Sequence, residues 1–232
     1  MPIGYDKWRP NQGLLLDLQM RETTGTQTKD WAKPYHTQPV LTGAPSWAVL
    51  GNDLTYLSFN PANPDRVIIQ AADCVDLDFT TSSFSGGMWI YPDAYGNRFL
   101  FTKFTAAGTE GWSFWISATA PYLAFTTYNA GPASQATYGG SALQTSVWQF
   151  VSFNRSGATA NIYINGVRDM YYSATHINPA TSAAVDFTIG TTDGGAAGFY
   201  DGRMWRPRVW NRALAAWEFK AIYEAERDLF GV

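Results

Sequence analysis

Carboxylates come first, because cleavage of a sugar linkage needs two of them across the bond, one as acid and one as base or nucleophile. The chain has five glutamates, Glu22, Glu110, Glu218, Glu224 and Glu226, and three of them fall in one C-terminal helical stretch. Asp73, Asp76 and Asp78 cluster, but Asp76 and Asp78 alternate with Val75, Leu77 and Phe79. That alternation predicts the polar face of a strand edge, not an acid–base pair. His36 and His176 stand alone, and the sequence contains no Gly-x-Ser-x-Gly, His-Glu-x-x-His or glycine-rich phosphate loop. The single cysteine, Cys74, excludes an internal disulfide and a cysteine zinc site, and reads as a small buried hydrophobe. These residues predict no catalysis.

The chain is instead rich in aromatic plates. Aromatics are 16% of 232 residues while charged residues are only 15%, against about 25% in an average domain. Ten Trp and thirteen Tyr are more than a core needs, so some are expected at the surface, where they stack on sugars or bury against proteins. Trp112, Phe114 and Ile116 alternate with Trp115, and Leu123, Phe125 and Thr127 alternate with Tyr122, Thr126 and Tyr128. If those two strands pair, Trp115, Tyr122, Thr126 and Tyr128 share one face, with Asn161 and Tyr163 as candidate neighbours. That face is either a ligand platform or buried by a second sheet; phase along a strand does not choose between them.

The elements that must hold these residues are mostly strands. Leu14–Met20 reads as a buried first strand; Leu57–Phe59, Val67–Ile69 and Met88–Pro92 follow. Asn129–Leu143, rich in Gly, Ser and Ala, reads as a long loop, and Gly194–Gly198 as a second one. Trp148–Arg155, a Ser156-Gly157 turn, and Asn161–Ile164 before Asn165-Gly166 predict consecutive hairpins, since Asn-Gly tolerates positive φ. Phe219, Ile222 and Tyr223 recur at helical spacing with Glu218, Lys220 and Glu224 outward. Residues 1–12 have no period and predict an extended arm, leaving 13–232 as one domain.

Net charge of -3 leaves no footprint for nucleic acid or a polybasic membrane patch, and no apolar run reaches the roughly 18 residues of a membrane helix. Met1–Lys7 lacks the apolar stretch of a signal peptide. The expectation is a chain made in the cytoplasm and left there, unless released by lysis or cut from a precursor.

The order Trp148 … Tyr163-Ile164-Asn165-Gly166 … Ile189-Gly190 … Asp201-Gly202-Arg203-Met204 … Arg208-Val209-Trp210-Asn211-Arg212-Ala213-Leu214 closely resembles the laminin-G-like, or concanavalin-A-like, lectin domain. The resemblance implies an all-β fold: a two-sheet antiparallel β-sandwich, the concanavalin-A-like jelly roll, with one short C-terminal helix. It implies a non-catalytic binding or adhesion module with glycan as the ligand class. The glycosidases of this fold carry a Glu-x-Asp-x-x-Glu-like strand that is missing here. Calcium is the family's usual ion. Asp30 and Asp201 match family positions, but Trp205-Arg206 stands where an acidic pair usually follows, and an arginine repels the ion. No metal or other cofactor is expected. Ala215 replaces the family's usual Ser or Thr helix cap, which costs about 1 kcal/mol.

Tyr5, Trp8 and Trp217 are the expected contact residues for self-association or docking on a larger assembly. Trp217 lies roughly 200° around a helix from Phe219, at about 100° per residue. The competing reading is a structural component of a virion, as a decoration, fibre or tail protein without a ligand of its own.

Overall fold

A computed structural model describes residues 8–34, 37–105, 107–118, 120–130, 134–192, 195 and 197–232. Tyr5 and His36 lie outside the described residues, as does part of the Gly194–Gly198 loop.

Among these residues the chain builds two eight-stranded antiparallel sheets. The first holds β1 (Leu14–Asp17), β3 (Ser46–Val49), β4 (Thr55–Phe59), β6 (Phe84–Pro92), β11 (Gln149–Ser156), β12 (Thr159–Ile164), β13 (Val167–Arg168) and β16 (Gly202–Trp210). The second holds β2 (Val40–Thr42), β5 (Arg66–Ile69), β7 (Arg98–Phe104), β8 (Gly111–Ile116), β9 (Leu123–Tyr128), β10 (Gln135–Tyr138), β14 (Tyr172–Ser173) and β15 (Phe187–Ile189). The first runs β13-β12-β11-β6-β16-β4-β3, with β1 beside the far end of β16; the second runs β14-β10-β9-β8-β7-β15-β5-β2. The two-sheet sandwich expected from the sequence is the observed fold.

Alternation sets the layers. Phe84 on β6 and Phe153 on β11 point inward and meet Trp112, Phe114 and Phe125 of the facing sheet, Phe153 lying 4.5 Å from Phe125 and 4.9 Å from Phe114 between ring centroids. Both hairpin turns form as expected. Gly157 has φ +57, and Asn165 and Gly166 have φ 52 and 74, the two positive values a tight turn between β12 and β13 requires. Gly166 is demanded twice over, because a Cβ there would lie 2.6 Å from the Lys220 Cα. The hairpin tip and the helix therefore fit against each other.

That helix, α1 (Ala216–Glu226), lies on the outer face of the first sheet and buries Phe219 and Ile222. Ala215 has no side-chain acceptor, so only half of a capping box remains: the Glu218 carboxylate accepts the Ala215 N–H at 2.9 Å. Glu218 is therefore not outward as expected. It is 3% exposed and held by both terminal nitrogens of Arg212 at 2.7 and 2.8 Å.

Three further expectations are corrected. The first strand ends at Asp17, after which Leu18 makes only a bridge to Asp30. The stretch read as one long loop contains β10, which pairs with β9. Asp73–Asp78 is not a strand edge but two short 3-10 turns, Ala71–Asp73 and Val75–Leu77, and the Asp78 carboxylate accepts from Ser182 N and the Thr181 hydroxyl. Residues 8–12, the described end of the expected arm, lie against their own domain. Arg9–Asn11 form a 3-10 turn, Pro10 is buried, and its carbonyl accepts the Trp210 indole N–H at 2.6 Å. No helix among the described residues is long and apolar enough to cross a membrane.

Candidate binding cleft

Strands β8 and β9 do pair, with Trp115 opposite Ala124 and Ser113 opposite Thr126. Trp115, Thr126 and Tyr128 thus share a face, and Tyr122 joins it just ahead of β9, its carbonyl accepting the Ser117 N–H. Because Trp112 and Phe114 take the inner face, this is the outer face of the second sheet. The facing sheet does not bury it.

Most of that face is nonetheless covered by the protein's own side chains and loops. Trp115 stacks on Phe99 at 5.9 Å, Phe99 on Phe104 at 5.6 Å, and Phe104 on Tyr128 at 4.7 Å. The Trp115 indole N–H donates to the Thr126 hydroxyl at 3.0 Å, and the Tyr128 and Ser113 hydroxyls lie 3.1 Å apart. Thr126 is only 4% exposed, and burial pushes the Tyr128 hydroxyl pKa up, partly offset by its bond to Ser113. These residues form a rigid aromatic ladder. Its open end is at Tyr138, whose ring meets Trp115 edge-on at 6.4 Å.

The open plates sit there. Tyr122, Tyr138, Tyr171 and Tyr172, with Ser117 and Ala120, line a cleft of about 400 Å³. Tyr138 on β10 and Tyr172 on β14 are directly paired, so their side chains lie side by side. Tyr171 and Tyr172 are 80% and 55% exposed, whereas Tyr122 and Tyr138 are half-buried. Of the sequence candidates only Tyr122 lines the cleft, with Trp115 bracing its wall. Tyr138, Tyr171 and Tyr172 were missed because β10 was read as loop and β14 is only two residues long. The signal was present in Thr137-Tyr138-Gly139-Gly140 and Tyr171-Tyr172-Ser173, where an aromatic meets small polar residues.

Asn161 and Tyr163 are not brought to this cleft. Both lie on β12 of the other sheet. Tyr163 is buried under α1 with its ring 4.7 Å from Phe219, and Asn161 is bonded to Asn154 and Arg168. A strand of the first sheet turns its outer face toward the helix, so alternation alone sent these two residues away from Trp115.

The metal candidates are engaged in structure. The Asp30 carboxylate accepts the Asp17 and Ala32 N–H groups at 3.0 and 2.9 Å, and burial raises its pKa, the two bonds offsetting part of the rise. Asp201 is also raised by burial, with Arg98 opposing and Asp93 adding to the shift. Among the described residues no three His, Cys, Asp or Glu side chains group as metal ligands. Arg206 fills the place of the family's acid differently. A bulge in β16 between Trp205 and Arg208 puts Arg206 at φ 51, and its guanidinium bonds Asp17 at 3.1 Å and Glu226 at 2.7 Å. Glu226 also takes both terminal nitrogens of Arg208 at 2.9 and 2.8 Å and the Trp89 indole N–H at 2.8 Å. Burial pulls the Arg208 pKa down from its ordinary range, and the Glu226 charge opposes that shift.

Of the expected contact residues, Trp8 is half-buried against the core, and Trp217 is 50% exposed with the Arg9 guanidinium 5.0 Å above its ring.

Solved structures with a similar arrangement include binding domains of toxins. The binding domain of Paraclostridial Mosquitocidal Protein 1 superposes with a TM-score of 0.72 at 14% identity, over 94% of this chain and 53% of that one. A botulinum neurotoxin type C structure, whose cell entry is described as dependent on two ganglioside molecules, gives 0.65 at 15% identity over 93% and 52%. The binding domain of botulinum neurotoxin DC in complex with rat synaptotagmin II gives 0.63 at 14% over 93% and 52%. The chain spans about half the length of these solved chains, and at such identities the likeness concerns the fold. A search of the curated proteins returned no match. The family model of the concanavalin A-like lectin/glucanases superfamily matches residues 68–218, well over half of the sequence, and the chain belongs to that family.

Proposed function

We propose that this protein is a non-catalytic glycan-binding module whose ligand seats in the tyrosine cleft. The observation that carries the reading is the cleft itself: four tyrosines converging at the exposed edge of an otherwise closed sheet, with hydroxyls at their rims and no acid pair among them. Sugar rings present apolar C–H faces ringed by hydroxyls, which suits a ring with one polar tip. The rigid ladder behind Tyr138 holds the plate in place before the ligand arrives, which limits the ordering cost of binding. Toxin relatives of the same fold are described with ganglioside and with a protein receptor, which supports a binding role for such a sandwich and makes a protein ligand the competing outcome.

Tyr172→Ala and Tyr138→Ala are expected to weaken glycan binding at least about ten-fold, roughly 1.4 kcal/mol, with an unchanged melting temperature for Tyr172→Ala. A glycan array followed by calorimetry on the best hit checks this. Retained affinity in both variants, or an array without hits, would sink the reading.

A second contact surface is favoured by Trp217, which projects from α1 beneath Arg9. Trp217 is already half covered, so burying the rest against a second copy or a larger assembly would remove roughly 100 Å² of surface from water. Sedimentation is expected to show an associating wild type and a monomeric Trp217→Ala. Identical profiles for the two would remove this surface from consideration.

A further inference from the structure

We propose that the ligand is a neutral oligosaccharide that runs from the tyrosine cleft into a second, polar groove, so that the site has two subsites of different character. The inference rests on the reading of the tyrosine cleft as a sugar platform and adds the part of the ligand that reaches beyond it.

The second groove, about 360 Å³, is lined among others by Ser141, Gln144, Gln149, Asn165, Arg168 and Asp169. Both cavities take walls from the same two adjoining segments. Tyr138 and Tyr171–Tyr172 border the first, and Ser141 and Asp169 border the second. The segments are tied along their length: Tyr171 N–H donates to the Tyr138 carbonyl at 3.0 Å, and the Asp169 carboxylate accepts from Gly140 N, Ser141 N and the Ser141 hydroxyl at 2.8 to 3.1 Å. Between them stand Gly139 and Gly140, where a side chain would crowd the neighbouring segment. A Cβ on Gly139 would sit 2.6 Å from the Asp169 Oδ2, and one on Gly140 would sit 3.3 Å from the Met170 carbonyl. Tyr138 and Ser141 are three residues apart, at most about 10 Å at roughly 3.3 Å per extended residue, and the two cavities share no lining residue, so the ligand that fills both is a chain of sugars.

The chemistry of the groove complements that of the cleft. Arg168 donates its Nε–H to Asn161, while its two terminal nitrogens have no protein partner among the described residues; the Gln144 side-chain amide is likewise unengaged, and both residues are exposed. Asn165 accepts the Phe150 N–H through its oxygen and keeps its amide donors. These groups hydrogen-bond sugar hydroxyls, whereas the tyrosines stack on ring faces. The cleft is lined by Ser, Ala and Tyr alone, and Asp169 stands beside Arg168 in the groove. A sialylated or sulfated sugar would therefore find no net positive site, which is why the ligand is assigned as neutral.

The test is an array of neutral, sialylated and sulfated glycans from monosaccharides to hexasaccharides, followed by calorimetry on a length series of the best-bound backbone. The expected result is a neutral hit whose affinity rises about ten-fold or more from monosaccharide to the plateau length. Tyr172→Ala should abolish binding at every length. Arg168→Ala and Gln144→Ala, both at exposed positions and checked for an unchanged melting temperature, should leave monosaccharide binding intact and remove the gain with length. A length-independent affinity, or variants that keep the gain, would overturn the second subsite while leaving the tyrosine cleft in place. A preference for acidic glycans would overturn the neutral assignment. No binder of any kind would overturn both readings.

Discussion

Replacing Glu226 with leucine is expected to lower the free energy of unfolding by about 3–5 kcal/mol, read from urea denaturation at neutral pH. Among the described residues the carboxylate is the single acceptor for both terminal nitrogens of Arg208, whose side chain is fully buried and whose Nε has no partner there. Removing it strands one buried cation, weakens the hold on Arg206 and frees the Trp89 indole N–H. Each loss adds desolvation cost without a compensating bond. Glu226→Gln keeps an oxygen for one of these donors and is expected to fall between wild type and leucine. A loss below about 1 kcal/mol for the leucine variant would mean that water reaches Arg208 in solution, and that the network is a surface ion pair in energetic terms.

Acidification is expected to remove roughly 3 kcal/mol through one side chain, His176, whose pKa is lowered from 6.5 to about 4 by burial first and by the nearby Arg155 charge second. The ring is 2% exposed, with Nδ1 2.9 Å from the Thr127 hydroxyl and Nε2 2.8 Å from that of Thr137. Two threonine hydroxyls match a neutral imidazole, one donating and the other accepting. The folded-state pKa is depressed below the unfolded one, so between these two values the unfolded chain binds a proton that the folded chain refuses. Stability is therefore full above about pH 6.5 and declines as pH falls toward 4. His176→Gln should flatten this window while leaving the carboxylate-driven loss at lower pH. Chemical denaturation from pH 7.5 to 4 on both proteins checks it; parallel curves would show that the ring takes its proton without unfolding.

What the sequence made legible was whatever is local. The Asn165-Gly166 turn and the shared face of Trp115, Thr126 and Tyr128 both follow from spacing, because each depends on residues within one hairpin. The resemblance supplied the sandwich and its closing helix. Glu218 and Glu226 were not legible. A helical period puts charge outward by default, and what draws these two inward are Arg206 and Arg208 on β16 and Arg212 in the bend that follows it. The site was half legible for the same reason. Tyr122 leads directly into a strand with a clear alternation, whereas Tyr138 and Tyr172 face each other only because β10 pairs with β14 across more than thirty positions. Asn161 and Tyr163 show the reverse error: correct strand, correct phase, opposite sheet.

The pairing of β1 with β16, where Leu14 meets Trp210 and Asp17 meets Arg208, places the first strand of the sandwich alongside its last. The first and last strands are therefore neighbours although nearly the whole chain lies between them, and closing that pair costs loop entropy that a local hairpin does not. The tyrosine cleft lies on the other sheet, at the β14 edge. The β10–β14 pair that lines it closes a far shorter loop, so this edge carries a smaller entropy cost than the seam between the first and last strands.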